Sequence, residues 1–265
     1  MGKKILSVFF AVAIIYWIIF VLVGGYKQNS LGLYTQIPLI VIPGVGGILG
    51  LMRFRDWGGF ESAMGKAVFW LSLGMVVWGL AIGIWTYYLF LGIALPYPST
   101  ADYVFVLSSV FHIFGFLQLS KVVGAPFGFR KFKDKFIGLF AGIAIALISY
   151  YILVVVARGN ILRHPGESTP QVFFNYAYTI ASLIDVTIVA VAYILSYKYL
   201  GGIYKKSILI LLVGFVIHFF AVFFFVKTIS DASYFNGNIA DILFTIAVFL
   251  ESFGIVSLDV NEYKR

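Results

Sequence analysis

The chain has 265 residues and a net charge of +8, with 62% hydrophobic and only 11% charged residues. So little charge cannot clothe a soluble surface. A water-soluble globular enzyme and a nucleic-acid-binding domain are therefore excluded, and lipid is the main solvent. With no cysteine in the chain, disulfides, Cys-based metal or iron–sulfur sites and a thiol nucleophile are excluded as well.

Eight apolar runs follow in order, each about 17 to 25 residues, the length that crosses roughly 30 Å of hydrocarbon at about 1.5 Å per residue. The first, Ile5 to Val23, comes after Lys3 and Lys4 as a signal sequence would, but no small-x-small cleavage site follows, so it reads as a retained helix. The second, Leu33 to Met52, contains Pro38 and Pro43 together with Gly44, Gly46, Gly47 and Gly50, residues that favour a kink and close backbone approach. In the third, Ala67 to Leu91, Trp78 and Trp85 are seven apart and share a face, with Gly79 and Gly83 spaced for helix contact. Trp85, Tyr87 and Tyr88 also suit an aromatic belt at the membrane surface.

Pro96 and Pro98 end the third run. Ser99 then suits an N-cap for the fourth run, Tyr103 to Ser120, and Asp102 completes a capping box at the positive end of the helix dipole. The remaining runs are Phe136 to Ala157, Val172 to Tyr197, Ser207 to Val226 and Ile239 to Leu258. Before the last, Asn238 and Asp241 repeat the cap in weaker form.

Placing both termini in the cytoplasm puts 15 Lys and Arg in inner segments: Lys3, Lys4, Arg53, Arg55, Lys66, Lys121, Arg130, Lys131, Lys133, Lys135, Lys198, Lys205, Lys206, Lys264 and Arg265. Only 4 fall outside, at Lys27, Arg158, Arg163 and Lys227. That bias predicts an all-α, multi-pass bundle of eight transmembrane helices in the cell membrane, with the bilayer as its principal partner. Residues 1–265 form a single transmembrane domain.

An offset of about 139 residues aligns Ala101, Asp102, Phe105, Phe114 and Gly115 with Ala240, Asp241, Phe244, Phe253 and Gly254. Gly58, Gly59 and Lys66 likewise precede the third run as Gly201, Gly202 and Lys205 precede the seventh. The pattern predicts a parallel four-plus-four repeat with halves 1–132 and 133–265, and a site where the halves meet. The offset sets His112 opposite Glu251 and, with one residue of slippage, Trp78 opposite His218. Asp185 reaches a similar depth in the sixth run. All lie roughly 15 to 20 Å along their helices, near mid-bilayer.

A charge at that depth costs several kcal/mol, so Asp185 and Glu251 need a partner, a cavity or a proton. Asn175, Tyr178, Ser182 and Asp185 make one polar stripe; Asn238, Asp241, Thr245 and Ser252, flanked by Glu251, make another. The candidate ligand-binding set is Trp78, His112, Asp185, His218 and Glu251. Ser99, Asp102, Asn238 and Asp241 are assigned to helix capping.

Three readings stand. One is a small-ligand-binding module, receptor-like or transporter-like, taking a small molecule or lipid. Another is a structural or partner-binding protein whose polar residues only lock the packing. The third is an intramembrane enzyme using His112 with Glu251 or Asp185 in acid-base chemistry, although no nucleophile-elbow or His-Glu-x-x-His motif is present, or a haem protein using His112 and His218. Retinal is disfavoured because no lysine lies in mid-helix, and no metal site is assigned.

Trp57-Gly58-Gly59, Leu71-Ser72-Leu73-Gly74, Trp85-x-Tyr87-Tyr88 and Pro96-Tyr97-Pro98-Ser99-x-Ala101-Asp102 resemble an uncharacterised family of eight-helix membrane proteins of archaea and small-genome bacteria. Ser149-Tyr150-Tyr151, Leu200-Gly201-Gly202 and Tyr234-Phe235-Asn236-Gly237-Asn238 extend the likeness over most of the chain from Trp57. The Pro-Tyr-Pro-Ser-x-Ala-Asp turn is also similar to membrane sensor modules of some histidine kinases and diguanylate cyclases. The resemblance implies eight helices and a signal-receiving role. Where the family pattern has acidic residues in helices six and seven, this chain has Asn175, Ser182 and Val222, which departs from any proton relay. With Arg265 seven residues past the last run, signal output is expected to pass to a separate signalling or membrane partner.

Overall fold

The computed structural model describes residues 2–25, 29–93, 96–122, 132–156, 158–161, 163, 165–196, 205–231 and 233–260, and among these it contains helices and turns but no strand. Eight long helices correspond to the eight apolar runs: α1 (Gly2–Leu22), α2 (Gln36–Arg53), α3 (Ala63–Phe90), α4 (Thr100–Val122), α5 (Phe132–Tyr150), α6 (Thr169–Ser196), α7 (Lys205–Ser230) and α8 (Ile239–Ser257). Seven have the length and apolar composition to cross a membrane. The eighth, α6, is 28 residues long, about 42 Å at the usual helical rise. Lys27, Arg130, Lys131, Ala157, Tyr197, Lys198, Leu200, Gly201, Gly202, Lys264 and Arg265 lie outside the described residues, as do the side chains of Lys133, Lys135 and Asn175.

Several helices begin before their apolar runs because caps sit in the polar flanks. α3 starts at Ala63, where Ser62 is extended and its hydroxyl oxygen accepts the Gly65 N–H at 2.8 Å. Shorter pieces escape a hydropathy reading: a helical turn at Asn29–Tyr34, 3-10 turns at Phe54–Trp57 and Gly59–Glu61, and a π-helical turn at Tyr151–Val156 that prolongs α5. Gly58, with φ +86°, joins the two 3-10 turns in a conformation that favours glycine.

Between helices in lipid there is little hydrophobic drive, so close packing and hydrogen bonds hold the bundle together. α3 packs along α4 and α7 along α8; α2 lies between α3 and α8, while α6 lies against α4 and α7. The glycines of α2 serve that position. A Cβ on Gly47 would stand 2.5 Å from the Ser72 carbonyl oxygen, and one on Gly46 or Gly50 would strike Ser252 or Ser72. Gly79 similarly faces the Ile40 carbonyl, but Gly83 meets nothing within 4 Å and makes no helix contact of the kind its spacing suggested.

One end of the bundle is tied by polar groups to the end of α8. Arg53 donates to the Val256 carbonyl at 2.6 Å and pairs with Asp259 at 3.0 Å, and the Trp57 indole N–H donates to the Leu258 carbonyl at 3.0 Å. These bonds satisfy carbonyls that a helix C-terminus leaves open. Above them Leu71, Met75, Phe116, Leu119, Leu211 and Ile255 pack almost without exposure. At the periphery, α1 and α5 present Val8, Leu22, Phe140 and Leu147 outward, as lipid-facing helices do.

Candidate functional site

At the other end, where the turn at Pro96 to Ser99 lies, the helices part around a cavity of about 600 Å³. Its floor is at the depth of His112, Asp185 and His218, and its mouth includes Tyr97, Arg158, Glu167 and Tyr234. Floor and mouth are built differently.

On the floor, Gly74 lets the His112 ring lie directly on α3, since a Cβ there would overlap the imidazole. His112 is 3% exposed and Asp185 6%. Glu251, fully buried, bonds through Oε1 to His218 Nδ1 at 3.0 Å. Three fully buried polar atoms of the lining have no hydrogen-bond partner among the described residues: His112 Nε2, Asp185 Oδ1 and Ser108 Oγ. Buried polar groups are almost always satisfied by protein, water or ligand, so these three mark a place where something else completes the bonding.

The wall above the floor is aromatic. The Trp78 ring has Phe105 and His218 each at 5.9 Å between centroids and Phe244 at 6.0 Å, while His218 and Phe244 meet edge-on at 5.3 Å. Phe215 touches both imidazoles, edge-on to His112 at 5.4 Å and parallel to His218 at 6.2 Å.

At the mouth the carboxylates are fully engaged. Asp102 accepts the Ser99 N–H, the Ser99 hydroxyl at 2.7 Å and, on its other oxygen, the Tyr178 phenol from α6. Asp241 accepts the Gly237 N–H at 2.6 Å, the Gln36 amide at 2.8 Å and the Tyr234 phenol at 3.1 Å. Burial, with Asp241 adding to it, pushes the Tyr234 phenol well above its ordinary range, which keeps it a donor. Arg158, 8% exposed, reaches Glu167 at 3.3 Å across the entrance.

Trp78, His112, Asp185 and His218 come together at the cavity, as their matched depths suggested, and Glu251 stands behind His218. Asp102, Asn238 and Asp241 serve helix starts as assigned, and the Ser99 hydroxyl departs from its assignment. Ser99 turns its hydroxyl to Asp102 rather than to the helix N–H groups, so only the carboxylate half of the expected box forms. Asn238, read as the weaker cap, is the fuller one: its Oδ1 accepts both the Ala240 and Asp241 N–H groups. Asp102 and Asp241 also line the cavity, a second role that capping alone did not foresee. Of the α8 stripe, Thr245 bonds back to the Asp241 carbonyl and Ser252 to the Ile42 carbonyl, a packing role. Sequence reasoning missed Gln36, Arg158 and Glu167, as well as the aromatic partners Phe105, Phe215 and Phe244. Phe105 and Phe244 were visible as an aligned pair, but 28 phenylalanines hide any one of them.

No family model, curated protein or solved structure matches the chain.

Proposed function

We propose that this multi-pass membrane protein is a small-ligand-binding module of receptor-like type, taking its ligand in the cavity above His112 and Asp185. The observation that carries this reading is the convergence of His112 Nε2, Asp185 Oδ1 and Ser108 Oγ, all buried and unpartnered, on a space of about 600 Å³, within the size range of small-molecule sites. The cavity's lining reaches the loops at one end, while the opposite end is closed by packed apolar side chains. That supports a receptor over a transporter.

In this reading both termini are cytoplasmic, which the 15-to-4 distribution of Lys and Arg supports, and the mouth faces outward. The two halves are parallel repeats. Support comes from Gly115 against Leu71 and Gly254 against Leu211, contacts offset by 139 and 140 residues. The likeness of the Pro96 to Asp102 turn to those of sensor modules points the same way.

Because the chain has no cysteine, single cysteines test the cavity directly. Ser109→Cys, on the cavity wall, reacts with the small neutral reagent methyl methanethiosulfonate at least tenfold faster than Ser257→Cys in the packed end. Equal rates, or no reaction at Ser109→Cys, overturn the reading. Asp231→Cys, exposed in the α7–α8 loop, reacts with an impermeant maleimide on intact cells if the mouth faces outward.

A further inference from the structure

Building on that small-ligand reading, the cavity's chemistry narrows the class of ligand. We infer that the ligand is an organic cation, a free primary or secondary ammonium carried on an apolar body. Charge points there first. Asp102, Asp185, Asp241 and Glu167 line the cavity, against Arg158 as the one Lys or Arg among the described lining residues, and Arg158 already reaches Glu167. An anion would meet four carboxyl groups and a guanidinium already engaged. A neutral molecule of the same shape would leave Asp185 Oδ1 without a charged partner.

Bonding capacity agrees. Asp185 Oδ1 and Ser108 Oγ are acceptors without a donor, and His112 Nε2 joins them as an acceptor in the tautomer that carries its proton on Nδ1. An ammonium with two or three N–H groups supplies what they lack. A quaternary ammonium does not. On the wall above them, Trp78, Phe105, Phe215 and Phe244 offer ring faces and edges. Aromatic rings attract a cation through their negative faces, tryptophan most strongly, and more so where water is excluded. They also pack against the ligand's apolar body. A zwitterionic lipid headgroup would bring its phosphate against Asp102 and Asp241, so the source is a free amine.

Three probes of one shape test this: phenethylammonium, neutral 2-phenylethanol and anionic phenylacetate. Each is titrated for protection of Ser109→Cys against methyl methanethiosulfonate in the full-length protein. The ammonium is expected to half-protect at a concentration at least tenfold below either analogue. Adding Asp185→Asn removes that advantage, and Trp78→Leu reduces it several-fold. If the alcohol or the acid protects as well as the ammonium, or none protects a cysteine that does react, the cationic ligand is wrong and the cavity reading stands. If the cysteine does not react at all, both fall. Should Asp185→Asn fail to fold, the three-probe comparison without that substitution still decides.

Discussion

In the α3–α4 pair, Gly115 sits where a Cβ would lie 2.6 Å from Leu71 Cγ, and one turn away Gly74 lies against the His112 ring. In the α7–α8 pair, a Cβ on Gly254 would lie 2.7 Å from Leu211 Cγ, and one on Gly214 would lie 3.0 Å from Glu251 Cγ. The same small-residue contact thus sets one helix against its neighbour in both places and carries a titratable side chain to the same level. What differs is the bonding. His112 lines the cavity with Nε2 unpartnered, whereas Glu251 stands outside the lining, with Oε1 on His218 and Oε2 unpartnered. The glycine contact decides depth; the residue delivered there decides whether its acceptor meets the cavity or a side chain of the neighbouring helix.

The comparison is broken most severely at its polar members. Glu251→Ala strips His218 of its partner inside the bundle, and losing one member of a buried pair typically costs about 3 kcal/mol or more. His112→Leu removes an unpaired atom and is expected to cost about 1 kcal/mol or less. Thermal unfolding of the two variants in detergent checks this, and equal losses would mean that the two positions are bonded alike.

The glycine contacts come next. Gly115→Ala forces a methyl within 2.9 Å of the Leu71 backbone nitrogen, while at Gly254 the corresponding distance to Leu211 is 3.2 Å. Overpacking costs of about 2 kcal/mol and about 1 kcal/mol, respectively, are expected on that basis. A reversed order of melting temperatures would show that α7–α8, not α3–α4, is the tighter pair.

The smallest effects belong to the helix starts. Asn238→Ala removes acceptors for two N–H groups and should cost about 1 kcal/mol. Ser99→Ala loses one hydroxyl bond to Asp102, about 0.5 kcal/mol. Denaturant unfolding that ranked Ser99 above Asn238 would return the fuller cap to α4.

Much of the bundle was legible one residue at a time. Each of the eight runs became a helix, with ends displaced by a few residues where a cap such as Ser62 lay outside the apolar stretch. Matching depths brought His112, Asp185, His218 and Trp78 to one cavity, because depth along a straight helix is a count of residues. Pairing was far less legible. Glu251 finds His218 33 residues away, Asp102 finds Tyr178 across 76, and Asp241 finds Gln36 across 205. A soluble helix advertises its inner face by a polar stripe opposite it; apart from the polar stripes of α6 and α8 these helices lack that contrast, so their rotation about their own axes leaves little trace in hydropathy.

By itself, then, the sequence determined solvent, helix number and depth, since run length, charge and residue count are one-dimensional quantities that the bilayer reads directly. Only the tertiary structure decided which polar groups close on one another and which face open space. That choice depends on how each helix is turned, and close glycine contacts with Leu71, Leu211, His112 and Glu251 set the turn.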